Sequence, residues 1–303
     1  MAFFVFRGDI LICFKELHPM VSFMYFVLVI GLTMFLLNPI CIIISLVLGF
    51  IYSALLKGKS QALKNILLAV PMVLVMGIMN PLFNHRGQTI ILYFPSGNPL
   101  TLESIIFGII TAMMIFSVIL WFISCNDIIT SDKYTYLFGK VAPSLALAFS
   151  MIMRFVPRLV KDGKKIISVR ASNLDYDNGV LSKIKLGSKV ISSLIMISLE
   201  NSIDTADSMK SRGYGVRKRT SFAIYKFTKI DAFAMILILL FGGIAILGKI
   251  LGYLDYSYFP VVKGVNIGII SMGLYIDYFL LVSFPVVLSL TEVIRWRILK
   301  SRI

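Results

Sequence analysis

Side chains that could do chemistry are few and scattered in this 303-residue sequence. Cys13, Cys41 and Cys125 stand at apolar or membrane-edge positions with no CxxC or metal-ligand spacing, and read as packing residues. His18 and His85 are isolated; ligation needs partners at a suitable spacing, so no metal is expected. Gly58-Lys59-Ser60 matches the end of a phosphate loop, but Ser53 occupies the place of its first glycine, and a membrane helix rather than a strand precedes it. A basic loop is the better reading. Asp175 and Asp177 also lack partners at a metal-binding spacing and belong to a solvated loop. The chain is therefore expected not to be an enzyme and to need no cofactor. One feature is left, the run ADSMKSRGYGVRKRTSF at residues 206–222, which collects Lys210, Arg212, Arg217, Lys218 and Arg219.

The elements that hold this run are dictated by hydropathy. Hydrophobic residues make up 58% of the chain and the mean hydropathy is +0.90, far outside the range of a soluble domain. Several apolar runs approach the roughly 20 residues that cross a bilayer as a helix. An all-α integral membrane protein is expected, with about six transmembrane helices plus long cytoplasmic helices, rather than a barrel of alternating strands. The N-terminal stretch carries Arg7, Asp9, Lys15 and Glu16 and no small-residue cleavage site, so the chain is expected to start at or near Met1.

Residues 1–125 read as a membrane region with four spans. Asn38-Pro39 breaks the apolar block 20–56 into a hairpin of two spans. A third span runs over 66–80, closed by Asn80-Pro81, and a fourth over 102–124. Between them, 89–94 is rich in β-formers and 95–98 has turn chemistry, which predicts a small hairpin outside the membrane. Residues 126–229 form a cytoplasmic region, and 230–303 a second membrane region with spans over 231–249 and 275–294.

Charge orients the chain. Sixteen Lys and Arg residues from Arg154 to Lys229 lie in the one region between spans, which must be cytoplasmic. Lys57, Lys59 and Lys64, and Arg295, Arg297, Lys300 and Arg302, fall on the same side if both termini are cytoplasmic. Glu103, Asp231, Lys249, Asp277 and Glu292 are expected near span ends, with no ionisable group inside a span, which argues against ion-coupled transport.

The cytoplasmic region keeps helical periodicity over two stretches. The first covers 143–172, with proline at its first turn, an apolar early half able to lie against the membrane, a basic later half, and a kink expected at Pro157. The second covers 186–211, with Gly213 placed as a C-terminal stop. Leu199, Ile203, Ala206 and Met209 make an apolar stripe that packs either on the first helix or on a partner. From charge alone, the cationic run could simply anchor the chain to anionic membrane lipids. Nothing suggests nucleic acid as a partner.

Two long basic helices ending in Val169-Arg170-Ala171 and Ser211-Arg212-Gly213 resemble the transmembrane T component of energy-coupling factor (ECF) transporters. The resemblance continues in LHPMVSF and in NPLFNHRGQTIILYFPSGNPLTLESIIFG, and extends over most of the chain. It implies a coupling subunit of an importer in a bacterial plasma membrane, for vitamin or metal-ion uptake. Its partners would be two ABC-type ATPase subunits and a membrane S component that binds the substrate. In this family each X-Arg-X motif docks into one ATPase, a role that falls here on Arg170 and Arg212 with their flanking Val169, Ala171, Ser211 and Gly213. The commoner pattern is Ala-Arg-Gly; Arg170 is followed by Ala and Ser, a larger departure than at Arg212. Two rivals compete: a stand-alone multi-span permease whose basic arms bind lipid, and the membrane subunit of an ordinary ATP-binding-cassette transporter.

Overall fold

Two Xaa-Pro pairs open the membrane bundle. His18-Pro19 begins helix α1 (Pro19–Phe35) and Asn38-Pro39 begins α2 (Pro39–Lys57). Proline suits the first helical turn, where its missing N–H would have had no intrahelical partner. The preceding side chain closes the turn: His18 Nδ1 accepts from Met20 N at 3.2 Å and Asn38 Oδ1 from Ile40 N at 3.1 Å. These features come from a computed structural model that describes residues 14–93, 99–172, 180–216, 225–262, 264 and 268–300. The expected turn at 95–98, the aspartates at 175 and 177, and the cluster Arg217-Lys218-Arg219 lie outside the described residues.

Helix α3 (Lys59–Phe83) departs from the expected span over 66–80. It starts directly after Gly58 and runs through both Pro71 and Pro81, so Asn80-Pro81 does not close it. Pro81 has no N–H for the carbonyl four residues earlier, that of Gly77. Helix α4 (Leu102–Ile128) packs against that turn through Gly108, where a Cβ would lie 2.9 Å from Gly77 O and 3.1 Å from Asn80 Cβ. A neighbouring backbone thus supports the proline turn, which sequence periodicity alone reads as an end. Between α3 and α4, strands β1 (Ile90–Tyr93) and β2 (Pro99–Thr101) pair antiparallel, with a bulge between Ile90 and Leu92.

Helices α5 (Ser131–Val141), α6 (Pro143–Ser172) and α7 (Val180–Ser211) follow, then α8 (Lys229–Ile250) and α9 (Ile269–Lys300). Among the described residues, α2, α4, the stretch 143–169 of α6, α8 and the stretch 269–294 of α9 are long and apolar enough to cross a membrane; α1 and the stretch 73–83 of α3 are shorter apolar helices. The chain is an all-α membrane protein. It divides into two compact units, residues 1–130 with 225–303, and residues 131–224. The two membrane regions read separately from sequence therefore pack as one body.

Helices α1, α2, α4 and α9 of that body meet at Ser45 of α2. Its hydroxyl accepts from Trp121 Nε1 at 2.9 Å and Ser117 Oγ at 2.8 Å, and lies 3.1 Å from Thr33 Oγ1, which is 3.2 Å from the Tyr278 hydroxyl. All five residues are buried. Polar side chains with no water nearby must find one another, so this knot sets which helices pack together. Around it the rings of Phe14, Tyr25, Phe26 and Trp121 contact one another, mostly edge to face.

At one end of the body the turns are laced together. Asn38 Nδ2 donates to Leu254 O at 3.3 Å and to the Tyr275 hydroxyl at 2.9 Å, Tyr258 donates to Leu37 O at 2.6 Å, and Gln88 N donates to Pro260 O at 3.2 Å. Burial, with Tyr256 beside it, pushes the Tyr258 hydroxyl well above the usual phenol range. Lys249 and Asp255 form an ion pair at the same end.

Asp277 corrects one expectation. Helix α9 begins at Ile269, six residues before the expected start, so Asp277 lies more than two turns inside it rather than near its end. The carboxylate is buried and its Oδ2 has no hydrogen-bond partner among the described residues. The small and polar residues Ser271 and Gly273 had disguised the first turns of this helix as loop.

Candidate functional site

The second unit is built from α5, α6 and α7, and both candidate arginines sit in it. Helix α7 is 32 residues long and begins at Val180, six residues earlier than hydrophobic spacing had suggested. Several of its hydroxyls bond back along the helix: Ser198 to Leu194 O at 2.6 Å, Ser202 to Ser198 O at 2.6 Å, and Thr205 to Asn201 O at 2.6 Å. Such back-bonding satisfies each hydroxyl locally and lets a polar-rich helix stand without partners for them.

Its end is sharply defined. Tyr214 N donates to Met209 O at 3.0 Å and Gly213 N to Lys210 O at 2.9 Å, with Gly213 at φ 80°. That pair of bonds around a left-handed residue is a Schellman motif, which makes Arg212 the C-cap and Gly213 the residue that turns the chain away. Nothing stands within 4 Å of where a Gly213 Cβ would be, so the requirement for glycine is conformational, not steric. Arg212 is exposed at this tip and forms no ion pair among the described residues. Its charge and that of Lys210 complement the negative end of the helix dipole. Gly215 takes a second left-handed turn at φ 93°, and Ser211 Oγ donates to Ser208 O at 2.9 Å.

The first arginine is placed differently. Helix α6 begins with Pro143, runs without a break through Pro157, and continues past Arg170 and Ala171 to Ser172. Arg170 thus falls in the last turn of its helix, not at a glycine-terminated cap. Val169, just before it, is exposed.

Helix α6 packs on α7 where α6 has no side chain: Gly163 is buried, and a Cβ there would meet Leu194 Cδ1 at 3.4 Å, while Val190 of α7 is buried as well. The stripe singled out from sequence lies elsewhere. Leu199 and Ile203 keep 62% and 65% of their surface, Ala206 is exposed, and Met209 is half-buried. Ile191 and Ile195 extend this stripe backwards at steps of four, and both are exposed. A second stripe runs along α6 through Leu145, Phe149, Ile152, Val156 and Val160, again exposed. Spacing by three and four carries that second stripe in the sequence, but its first members had been read as a surface lying against the membrane. No cluster of three or more potential metal ligands occurs among the described residues.

No family model matches the chain. A protein of Lactobacillus helveticus named energy-coupling factor transporter transmembrane protein EcfT is 30% identical over 114 residues, covering 37% of this chain and 41% of that protein. The Listeria monocytogenes protein EcfT 1, of the same description, is 29% identical over 194 residues, covering 58% of this chain and 71% of its own length. The chain is similar to EcfT proteins. An uncharacterized Mycoplasma genitalium protein is 34% identical over 96 residues, 31% of this chain and 23% of that protein. The chain thus spans about a quarter of the mycoplasma relative and less than half of the Lactobacillus EcfT, but most of the Listeria EcfT 1.

Proposed function

We propose that this protein is the transmembrane coupling subunit of an energy-coupling factor importer. It passes ATP-driven motion from two ABC-type ATPase subunits to a membrane S component that binds a vitamin or metal ion. It works in a bacterial plasma membrane with both termini in the cytoplasm, the orientation that the Lys and Arg distribution favours. The observation that carries this reading is Arg212, a fork of donors with no ion pair among the described residues, held at the capped tip of a 32-residue helix. Such a tip suits a groove lined with carboxylates and backbone carbonyls on a partner. Arg170, at the last turn of α6, serves the second ATPase.

The two apolar stripes support the same reading. Leu199 and Ile203 on α7, and Val156 and Val160 on α6, are exposed in this chain and are the kind of surface that a second membrane subunit covers. Similarity to proteins named as transporter transmembrane subunits supports it further.

Replacing Arg212 by Glu, and separately Arg170 by Glu, tests the assignment through copurification with the ATPases in mild detergent and through substrate uptake by the assembled complex. Loss of one ATPase per variant is expected. Full copurification and full uptake in both variants refute it, and uptake by the chain reconstituted alone points instead to a stand-alone permease.

A further inference from the structure

Strand β1 is apolar on both faces and covered on neither. Ile90, Ile91, Leu92 and Tyr93 keep 46%, 48%, 63% and 68% of their surface, although alternate side chains of a strand point to opposite sides. A two-stranded ribbon standing in water normally turns polar side chains outward. Here the only polar side-chain group on β1 is the Tyr93 hydroxyl.

The ribbon is fixed at its base. Leu102 N, the first of α4, donates to Thr89 O at 3.0 Å, and Thr89 N donates to Glu103 Oε1 at 3.2 Å. Thr101 and Ser104 both donate their hydroxyls to Arg86 O, at 2.9 and 3.0 Å. Gly87 is required at the closest point: its φ is 144°, and a Cβ would stand 2.5 Å from Glu103 Oε2. The strands therefore continue rigidly from the first turn of a membrane helix.

What lies around them follows from the helices on either side. Phe83, the last residue of α3, is 75% exposed, and Leu102 is exposed at the start of α4. An apolar surface this open at both helix ends places lipid up to the point where β1 and β2 begin. Helix α4 has 27 residues; at about 1.5 Å per residue it is about 40 Å long, close to the ~40–45 Å of a bilayer with its headgroups. Its first turn thus falls in a headgroup layer. Residues 87–93 and 99–102 hold no Lys, Arg, Asp or Glu; the nearest charges, exposed Arg86 and buried Glu103, stand at the base of the ribbon.

We propose that β1 is an interfacial anchor: it lies within the phospholipid headgroup layer, its two apolar faces are covered by lipid, and Tyr93 sits at the depth that amphipathic aromatic rings favour. The occupant is lipid and not a protein, because the apolar side chains at the adjoining ends of α3 and α4, Phe83 and Leu102, are exposed as well. This inference is independent of the coupling role. It concerns how the bundle is held at one bilayer surface.

The full chain, in nanodiscs of phosphatidylcholine and phosphatidylglycerol, tests it. A nitroxide on Leu92→Cys, with Cys13, Cys41 and Cys125 replaced by Ala, is compared with labels at Leu74 on α3 and Asp204 on α7. The proposal expects collision with oxygen and protection from a water-soluble nickel chelate, as at Leu74. Nickel accessibility equal to that at Asp204 overturns it. So does a label that is open to nickel in nanodiscs but protected in native membranes, since a protein would then be the cover. Should the cysteine-free chain fail to fold, Tyr93→Trp in the unaltered chain gives a second reading. Its added fluorescence should be lost in vesicles of brominated phosphatidylcholine, and undiminished fluorescence there overturns the proposal equally.

Discussion

The main-chain N–H of His18 donates to Asp231 Oδ1 at 2.9 Å across 213 residues of sequence. The other carboxylate oxygen accepts from Thr228 N at 2.9 Å and Thr228 Oγ1 at 2.6 Å, completing the capping box of α8. One buried side chain therefore serves the N-termini of α1 and α8 together, where the helix dipoles favour negative charge. Phe227 lays its ring edge to face with that of His18, at 5.2 Å between centroids, so the chain returning to the membrane is seated at the same point. Asp231→Ala should cost about 2–3 kcal/mol from the lost cap and the lost hydrogen bond to His18 N, read as a lowered midpoint of thermal unfolding in detergent. A midpoint equal to that of the parent chain contradicts this role.

At the tip of α7 the expected effect is local. Gly213→Ala forces a side chain into the left-handed region and should cost about 1–2 kcal/mol, yet no atom stands in its way. Amide hydrogen exchange should speed up over residues 206–212, while that of α1, α2 and α4 stays unchanged. Gly213→Asn, better tolerated at positive φ, should restore most of the protection; failure to do so means that the cap is not what holds Arg212.

Close packing at Pro81 makes a different prediction. Gly108→Leu places a branched side chain where even a Cβ would lie 2.9 Å from Gly77 O. Because the obstacle is backbone, α3 and α4 must separate, and overpacking of this kind costs about 1–3 kcal/mol. Cysteine pairs introduced across α3 and α4 near this point should cross-link less efficiently than in the parent chain.

The knot at Ser45 is expected to be sensitive to loss of its centre and less so to loss of its rim. Ser45→Ala strips the acceptor from Trp121 Nε1 and the partner from Ser117 Oγ, and should cost about 1–2 kcal/mol. Ser117→Ala removes one donor and leaves the Trp121 bond in place, for about 0.5 kcal/mol. Comparing the unfolding midpoints of the two variants decides this ranking.

Asp277 offers the opposite sign. Inside α9 its buried carboxylate leaves Oδ2 without a partner among the described residues, so Asp277→Asn, similar in shape and uncharged, should leave the unfolding midpoint unchanged or raise it. A marked fall means that an ionised Asp277 is held by a partner in the assembled protein.

Composition and run length determined that this chain is a helical membrane protein, because apolar runs of roughly 20 residues suit a spanning helix, whereas a barrel strand needs about ten residues that alternate. The break at Asn38-Pro39 and the stop at Gly213 were equally legible, since each acts through the backbone of its own turn. Arg212 was singled out through the resemblance of Ser211-Arg212-Gly213 to the T component, and Gly213 fixes its place at the end of the helix. Only the tertiary structure decided that α3 continues through Pro81, because the support comes from Gly108 on another helix. It alone paired His18 with Asp231 and gathered Ser45, Trp121 and Tyr278, contacts between residues far apart in sequence that no local periodicity encodes. Exposure of Leu199 and Ile203 was likewise undecided in sequence: apolar spacing marks a helix face, and only packing shows whether that face has been covered.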